Sequence, residues 1–95
     1  MTEIANDPRP PEPPEIRLKR LRLRSWRRGT REMDLILGRF ADGPLAELGE
    51  GELDAYEALM EENDWDLYYW VTGARPTPPE HAPLVERIAA FHAMR

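Results

Sequence analysis

The chain contains no cysteine, which excludes disulfide staples and thiolate metal sites. Its two histidines, His81 and His92, lie near the C-terminus without a paired ligand motif, so a zinc site is not expected. No apolar run approaches the ~20 residues of a membrane span. The opening residues, MTEIANDPRPPEPPE, lack the basic start and apolar middle of a signal peptide. They carry four acids against one arginine, unlike an acid-poor mitochondrial presequence. A cytoplasmic protein is the simplest expectation.

Catalytic groupings are missing too. No Ser–His–Asp or Cys–His arrangement can be drawn from local sequence. Gly49 and Gly51 flank Glu50 without the lysine of a phosphate loop. The chain does not read as an enzyme. Its 95 residues suggest one domain. A domain of this size buries only about 60–65% of its unfolded surface, which leaves little room for a deep pocket beside a core.

What is present is an uneven charge distribution. Residues 16–31 hold Arg17, Lys19, Arg20, Arg22, Arg24, Arg27, Arg28 and Arg31 and no acid. After Arg31 there are fourteen acids against four arginines. The overall charge of −5 hides this split. A segregated charge suggests a surface that faces a partner. Clustered arginines bind nucleic-acid phosphates or fork onto protein carboxylates. A solvated helix face is the plain alternative.

Residues 1–15 include Pro8, Pro10, Pro11, Pro13 and Pro14. Proline fixes φ and removes backbone donors, so this segment reads as a disordered or polyproline-like tail. Residues 16–27 fit either a strand or a helix by pattern; arginine and leucine tip the reading to helix. Met33, Ile36, Leu37 and Phe40 form one helical stripe. Thr30 is its candidate N-cap, and Glu32 and Asp34 suit its positive end. Asp42-Gly43-Pro44 stops or interrupts it.

Residues 50–62 predict another helix, with Leu53, Tyr56, Leu59 and Met60 on one face and Glu57, Glu61 and Glu62 toward solvent. Asn63-Asp64 reads as a cap for the aromatic helix WDLYYWVTG, which Gly73 ends. Trp65, Tyr68, Tyr69 and Trp70 at helical spacing read as core, with stacking on a flavin or on bases as the alternative. His81 sits in the proline-rich link RPTPPEHAP and is expected to be exposed. Leu84, Val85, Ile88 and Phe91 mark a last helix, with Pro83 in or just before its first turn. His92 reads as a surface or edge residue. The sum is all-α: a small five-helix bundle over residues 16–95 behind a proline-rich tail, residues 1–15.

The stretch RRGTREMDLILGRF resembles the small succinate dehydrogenase assembly factors, or flavinylation factors, whose motif is Arg-Gly-x-x-Glu. Here the motif is Arg28-Gly29-Thr30-Arg31-Glu32. YEALMEENDWDLYYWVTG, at the expected distance, and the final apolar helix extend the resemblance to residues 17–92. The proline-rich tail and Trp65 depart from the family pattern.

The resemblance implies a five-helix protein without catalytic residues of its own, and the residues already give no reason to expect a metal. It would bind the flavoprotein subunit of succinate dehydrogenase, with the fumarate reductase flavoprotein as a further candidate client. It would promote covalent attachment of the partner's FAD to a histidine and hold no cofactor stably itself. Arg28, Gly29 and Glu32 become the expected partner contacts, with Arg27, Arg31 and Asp34 beside them. The basic first helix would dock with them. A monomer, no nucleic acid and no membrane insertion complete the expectation; a nucleic-acid-binding or regulatory protein using residues 16–31 is the alternative.

Overall fold

The computed structural model describes residues 12–93. It consists of helices α1 (Pro14–Ser25), α2 (Arg31–Asp42), α3 (Glu50–Met60), α4 (Asp64–Thr72) and α5 (Ala82–Ala93), with a 3-10 turn at Pro44–Glu47 after α2. Among the described residues there is no strand. None of the helices is long and apolar enough to cross a membrane.

Local sequence chemistry sets the helix ends. Pro13 is the N-cap of α1 and Pro14 occupies its first turn, where a missing backbone N–H costs nothing and a fixed φ is already helical. Pro14 and Glu15 therefore belong to the helix and not to the tail. The rest of the expected tail, residues 1–11, lies outside the described residues. Thr30 Oγ1 accepts from Met33 N at 3.2 Å and opens α2. Asn63 Oδ1 accepts from Asp66 N at 2.9 Å and opens α4. Gly49 N donates to the Glu52 carboxylate at 3.1 Å at the start of α3. Gly73 closes α4 at φ 83°, a left-handed conformation in which a Cβ would be strained.

One core runs through the bundle. Leu21 of α1, Met33, Leu37 and Phe40 of α2, Leu53, Tyr56, Leu59 and Met60 of α3, and Leu84, Val85 and Ile88 of α5 are buried together. Each such side chain contributes about 1.5–3 kcal/mol on burial. Phe40 stacks on Tyr56 with ring centroids 6.0 Å apart and meets Phe91 edge-on at 5.8 Å. The Tyr56 hydroxyl is 2.6 Å from Ser25 Oγ, which itself donates to the Leu21 carbonyl at 2.7 Å. Burial pushes the Tyr56 phenol up to about 12. His92 Nε2 donates to the Ile36 carbonyl at 2.8 Å and ties α5 to α2.

Gly38 has a packing role that no local pattern announces. A Cβ there would sit 2.3 Å from Cδ2 of Trp26. The glycine lets the indole lie directly on α2, where Trp26 Nε1 donates to Asp42 Oδ1 at 3.1 Å. This contact fixes the end of α1 against α2, immediately before the turn that carries the motif.

Two expectations are corrected. His81 is buried, stacked on Trp70 at 5.6 Å with its Nε2 3.1 Å from Glu62 Oε2. The aromatic side of α4 covers it, so a proline-rich link does not leave it exposed. The aromatic group is core only in part: Tyr68 and Trp70 are half-buried and pack against the core, Tyr69 is half-buried, and Trp65 is 64% exposed. Only part of a short helix's circumference can face one core.

Candidate functional site

The turn between α1 and α2 carries Arg28, Gly29 and Thr30. Its backbone is held from both sides. Arg28 N donates to Asp34 Oδ1 at 2.6 Å, and Asp34 N donates to the Thr30 carbonyl at 2.9 Å. Gly29 takes φ 116°, a conformation open to glycine and costly for residues with a Cβ. Space is not the constraint, since the nearest atom to a Cβ there would be Asp64 Oδ2 at 3.5 Å.

The Arg28 side chain points inward. Its Nε donates to Asp64 Oδ1 at 2.8 Å, Nη1 to the Met60 carbonyl at 2.7 Å and Nη2 to the Glu62 carbonyl at 2.7 Å. Met60 is the last residue of α3, where carbonyls lack helical partners, Glu62 lies in the link that follows, and Asp64 is the first residue of α4. One guanidinium thus caps one helix and pins the start of the next. The fork expected to reach a partner is filled within the chain. Asp34 is likewise committed, to the Arg28 backbone.

The remaining motif residues face outward. Glu32, Arg27 and Arg31 are exposed, as is Gly29. Beside Glu32 lies an open cleft of about 260 Å³ lined by Thr30, Glu32, Met33, Asp64, Trp65 and Tyr68. Arg28 connects its two sides, because the motif turn and the start of α4 are joined through the Asp64 pair.

The basic segment is mostly spent on the chain itself. Arg17 pairs with Asp54 at 2.6 Å and with Glu57 at 2.8 Å; Arg20 reaches Glu57 at 2.7 Å and Glu12 at 3.0 Å; Arg24 reaches Glu61 at 3.2 Å. Arg22 lies 3.7 Å from Asp42. The partners of Arg17, Arg20 and Arg24 on α3 include a constant separation of 37 residues, so α1 and α3 run in the same direction with matched stripes of charge. Burial alone would raise the Glu57 carboxyl, but the Arg20 and Arg17 guanidiniums outweigh it and hold it below the usual carboxylate range. These pairs commit Arg17, Arg20 and Arg24 to carboxylates of the same chain and give Glu57 and Glu61 partners besides solvent, while Glu62 pairs instead with His81. The residues needed for the α1–α3 pairing were visible as two i, i+3, i+7 stripes; their meeting was not.

Comparison with known proteins adds to this geometry. A family model described as "Flavinator of succinate dehydrogenase" matches residues 19–92. The chain belongs to this family of succinate dehydrogenase assembly factors. It is 45% identical over 86 residues to a Drosophila grimshawi protein named succinate dehydrogenase assembly factor 2, mitochondrial, covering 88% of this chain and 58% of that one. A Drosophila mojavensis factor 2-A is 41% identical over 86 residues, covering 88% of this chain and 55% of that protein. A Scheffersomyces stipitis factor is 52% identical over 58 residues, covering 61% of this chain and 39% of that protein. The chain therefore spans little more than half the length of the Drosophila relatives.

The relatives' names correct the localisation. They are mitochondrial proteins by name, which overturns the cytoplasmic expectation. That expectation rested on the acids of residues 1–15, and the composition of one short segment does not determine a destination.

Proposed function

We propose that this flavinator-family chain binds the flavoprotein subunit of succinate dehydrogenase and promotes covalent FAD attachment to it, without catalytic groups of its own. The observation that carries the reading is the Arg28 clamp. It spends a nearly buried guanidinium to hold the motif turn against α3 and α4, and it leaves Gly29 and Glu32 on the outside beside a cleft. A turn fixed this firmly with its glycine and carboxylate exposed is suited to recognition.

In this reading FAD stays with the flavoprotein. The charged residues lining the cleft, Glu32 and Asp64, are both acidic, a poor fit to an anionic dinucleotide pyrophosphate. The covalent chemistry belongs to the flavin and to the flavoprotein's histidine. Glu32 accepts from a partner donor, Gly29 lets partner backbone approach closely, and Arg28 and Asp34 hold both in place. Higher affinity for the flavoprotein conformation that aligns flavin and histidine is sufficient to favour it, and alignment alone accelerates attachment. A standard interface of about 1,600 Å² would occupy a large share of so small a surface. The fumarate reductase flavoprotein presents the same kind of client.

The experiment is in-gel fluorescence of covalent flavin on the flavoprotein under denaturing conditions, in cells lacking this chain and complemented with variants. Wild type restores the signal. Glu32→Ala and Gly29→Arg, each shown to be folded, do not. Full signal without the chain would remove the function, and full signal with both folded variants would remove the site. The nucleic-acid alternative is weakened by the pairing of Arg20 and Arg24, two of the arginines it needs, with carboxylates of α3.

A further inference from the structure

The cleft beside Glu32 is built from one kind of chemistry. Its walls are the aromatic side chains Trp65 and Tyr68 with Met33 and Thr30, and its charged lining is Glu32 and Asp64. Trp65 is 64% exposed, whereas Phe40 and Tyr56 lie in the core and Tyr68, Trp70 and Phe91 pack against it. Glu32 has no ion-pair partner among the described residues. Asp64 gives Oδ1 to Arg28, while its Oδ2 faces the Gly29 turn. Arg27 and Arg31 do not line the cleft.

An open carboxylate beside exposed aromatic faces is a receptor for a planar cation. A guanidinium pairs with a carboxylate through its N–H fork and stacks on an indole or phenol through its face. The same helix already uses half of this chemistry internally: the Arg75 guanidinium lies 4.5 Å from the centroid of the Tyr69 ring. The geometry points to the Glu32–Trp65–Tyr68 cleft as a pocket for an arginine side chain presented by a protein partner. Charge complementarity favours this occupant over an anionic flavin nucleotide or a nucleic-acid base. The inference rests on the reading above only in taking the partner to be a protein, and it adds the chemistry of the group received.

The pocket can be tested on the isolated chain, apart from any flavoprotein. The chain labelled with 15N is titrated with N-acetyl-arginine amide, and in parallel with N-acetyl-lysine amide and with flavin mononucleotide. The arginine amide is expected to move the Trp65 indole N–H and the Glu32 and Tyr68 amides, with the lysine compound weaker. Glu32→Gln and Trp65→Ala are expected to lower its affinity about tenfold each while the backbone spectrum elsewhere keeps its wild-type pattern. Equal shifts with the lysine compound, shifts produced by the flavin mononucleotide instead, no shifts at the highest soluble arginine concentration, or undiminished binding by both folded variants would each overturn the proposal. Because no flavoprotein is present, a failed titration leaves the flavinylation result untouched, and the reverse is equally true.

Discussion

Replacing Arg28 with alanine removes three hydrogen bonds at once, and its cost can be worked from the structure. The side chain is 11% exposed and its partner Asp64 is 15% exposed, so solvent screens the pair weakly. The substitution strands the Asp64 carboxylate and removes the donors to the Met60 and Glu62 carbonyls. Removing one member of a buried, hydrogen-bonded ion pair costs about 3–5 kcal/mol, and each lost bond to a charged group accounts for about 1.5–3 kcal/mol where water does not replace it. Water reaches the two carbonyls and replaces much of what they lose, which brings the total to about 4 kcal/mol, below simple addition of the separate losses. Against a total of about 5–10 kcal/mol for a domain of this length, Arg28→Ala should retain only about 1–6 kcal/mol.

The assay is urea unfolding followed by far-UV circular dichroism. With a slope of about 1–3 kcal/mol per molar for a small protein, the midpoint should fall by about 2 M. Arg28→Lys keeps one charged donor but loses the fork and should fall between the two. Arg27→Ala, one residue away and exposed, should stay within about 0.5 kcal/mol of wild type. A midpoint for Arg28→Ala within about 0.5 M of wild type would refute the reasoning: the guanidinium would then not be the link between the motif turn and the α3–α4 junction.

The other expectations are smaller or more local. Gly38→Ala places a methyl 2.3 Å from the Trp26 ring; it should cost about 1–3 kcal/mol and change Trp26 fluorescence as the indole lifts from α2, and an unchanged melting temperature would contradict the packing. Gly29→Ala meets no close atom but must hold φ 116°, so it should cost about 1–2 kcal/mol, with no change in slope of urea unfolding. The Glu57 carboxyl is depressed in the folded protein by Arg20 and Arg17 against the opposing effect of burial. The stability it contributes is therefore present above its unfolded pKa and is lost as pH falls through the lower folded value. Glu57→Gln should accordingly flatten the acid side of the stability–pH curve, as read by thermal unfolding between neutral and acidic pH.

The ends of α2 and α4 were legible because their causes lie within about four residues of one another, whereas the start of α1, read at residue 16, falls at Pro14. The Thr30 and Asn63 caps, the left-handed Gly73 and the Met33–Phe40 stripe all depend on local spacing. The motif itself was legible as a pattern, and the family resemblance carried the partner reading. The role of Arg28 was not, since its acceptors lie 32 to 36 residues away. The pairing of the basic helix was hidden for the same reason: the fold lays Arg17, Arg20 and Arg24 along Asp54, Glu57 and Glu61.

By itself, then, the sequence determined an all-α chain with five helices, the caps at Thr30, Asn63 and Gly73, and the place of the Arg-Gly-x-x-Glu motif between the first two helices. Only the tertiary structure decided which way each motif side chain points. It turned Arg28 and Asp34 inward, left Gly29 and Glu32 outside, and set Trp65 on the rim of a cleft instead of in the core. The physical reason is distance along the chain. Helical pattern is written by neighbours three and four residues apart, whereas burial, charge pairing and the shape of a cleft arise between segments that meet only after folding.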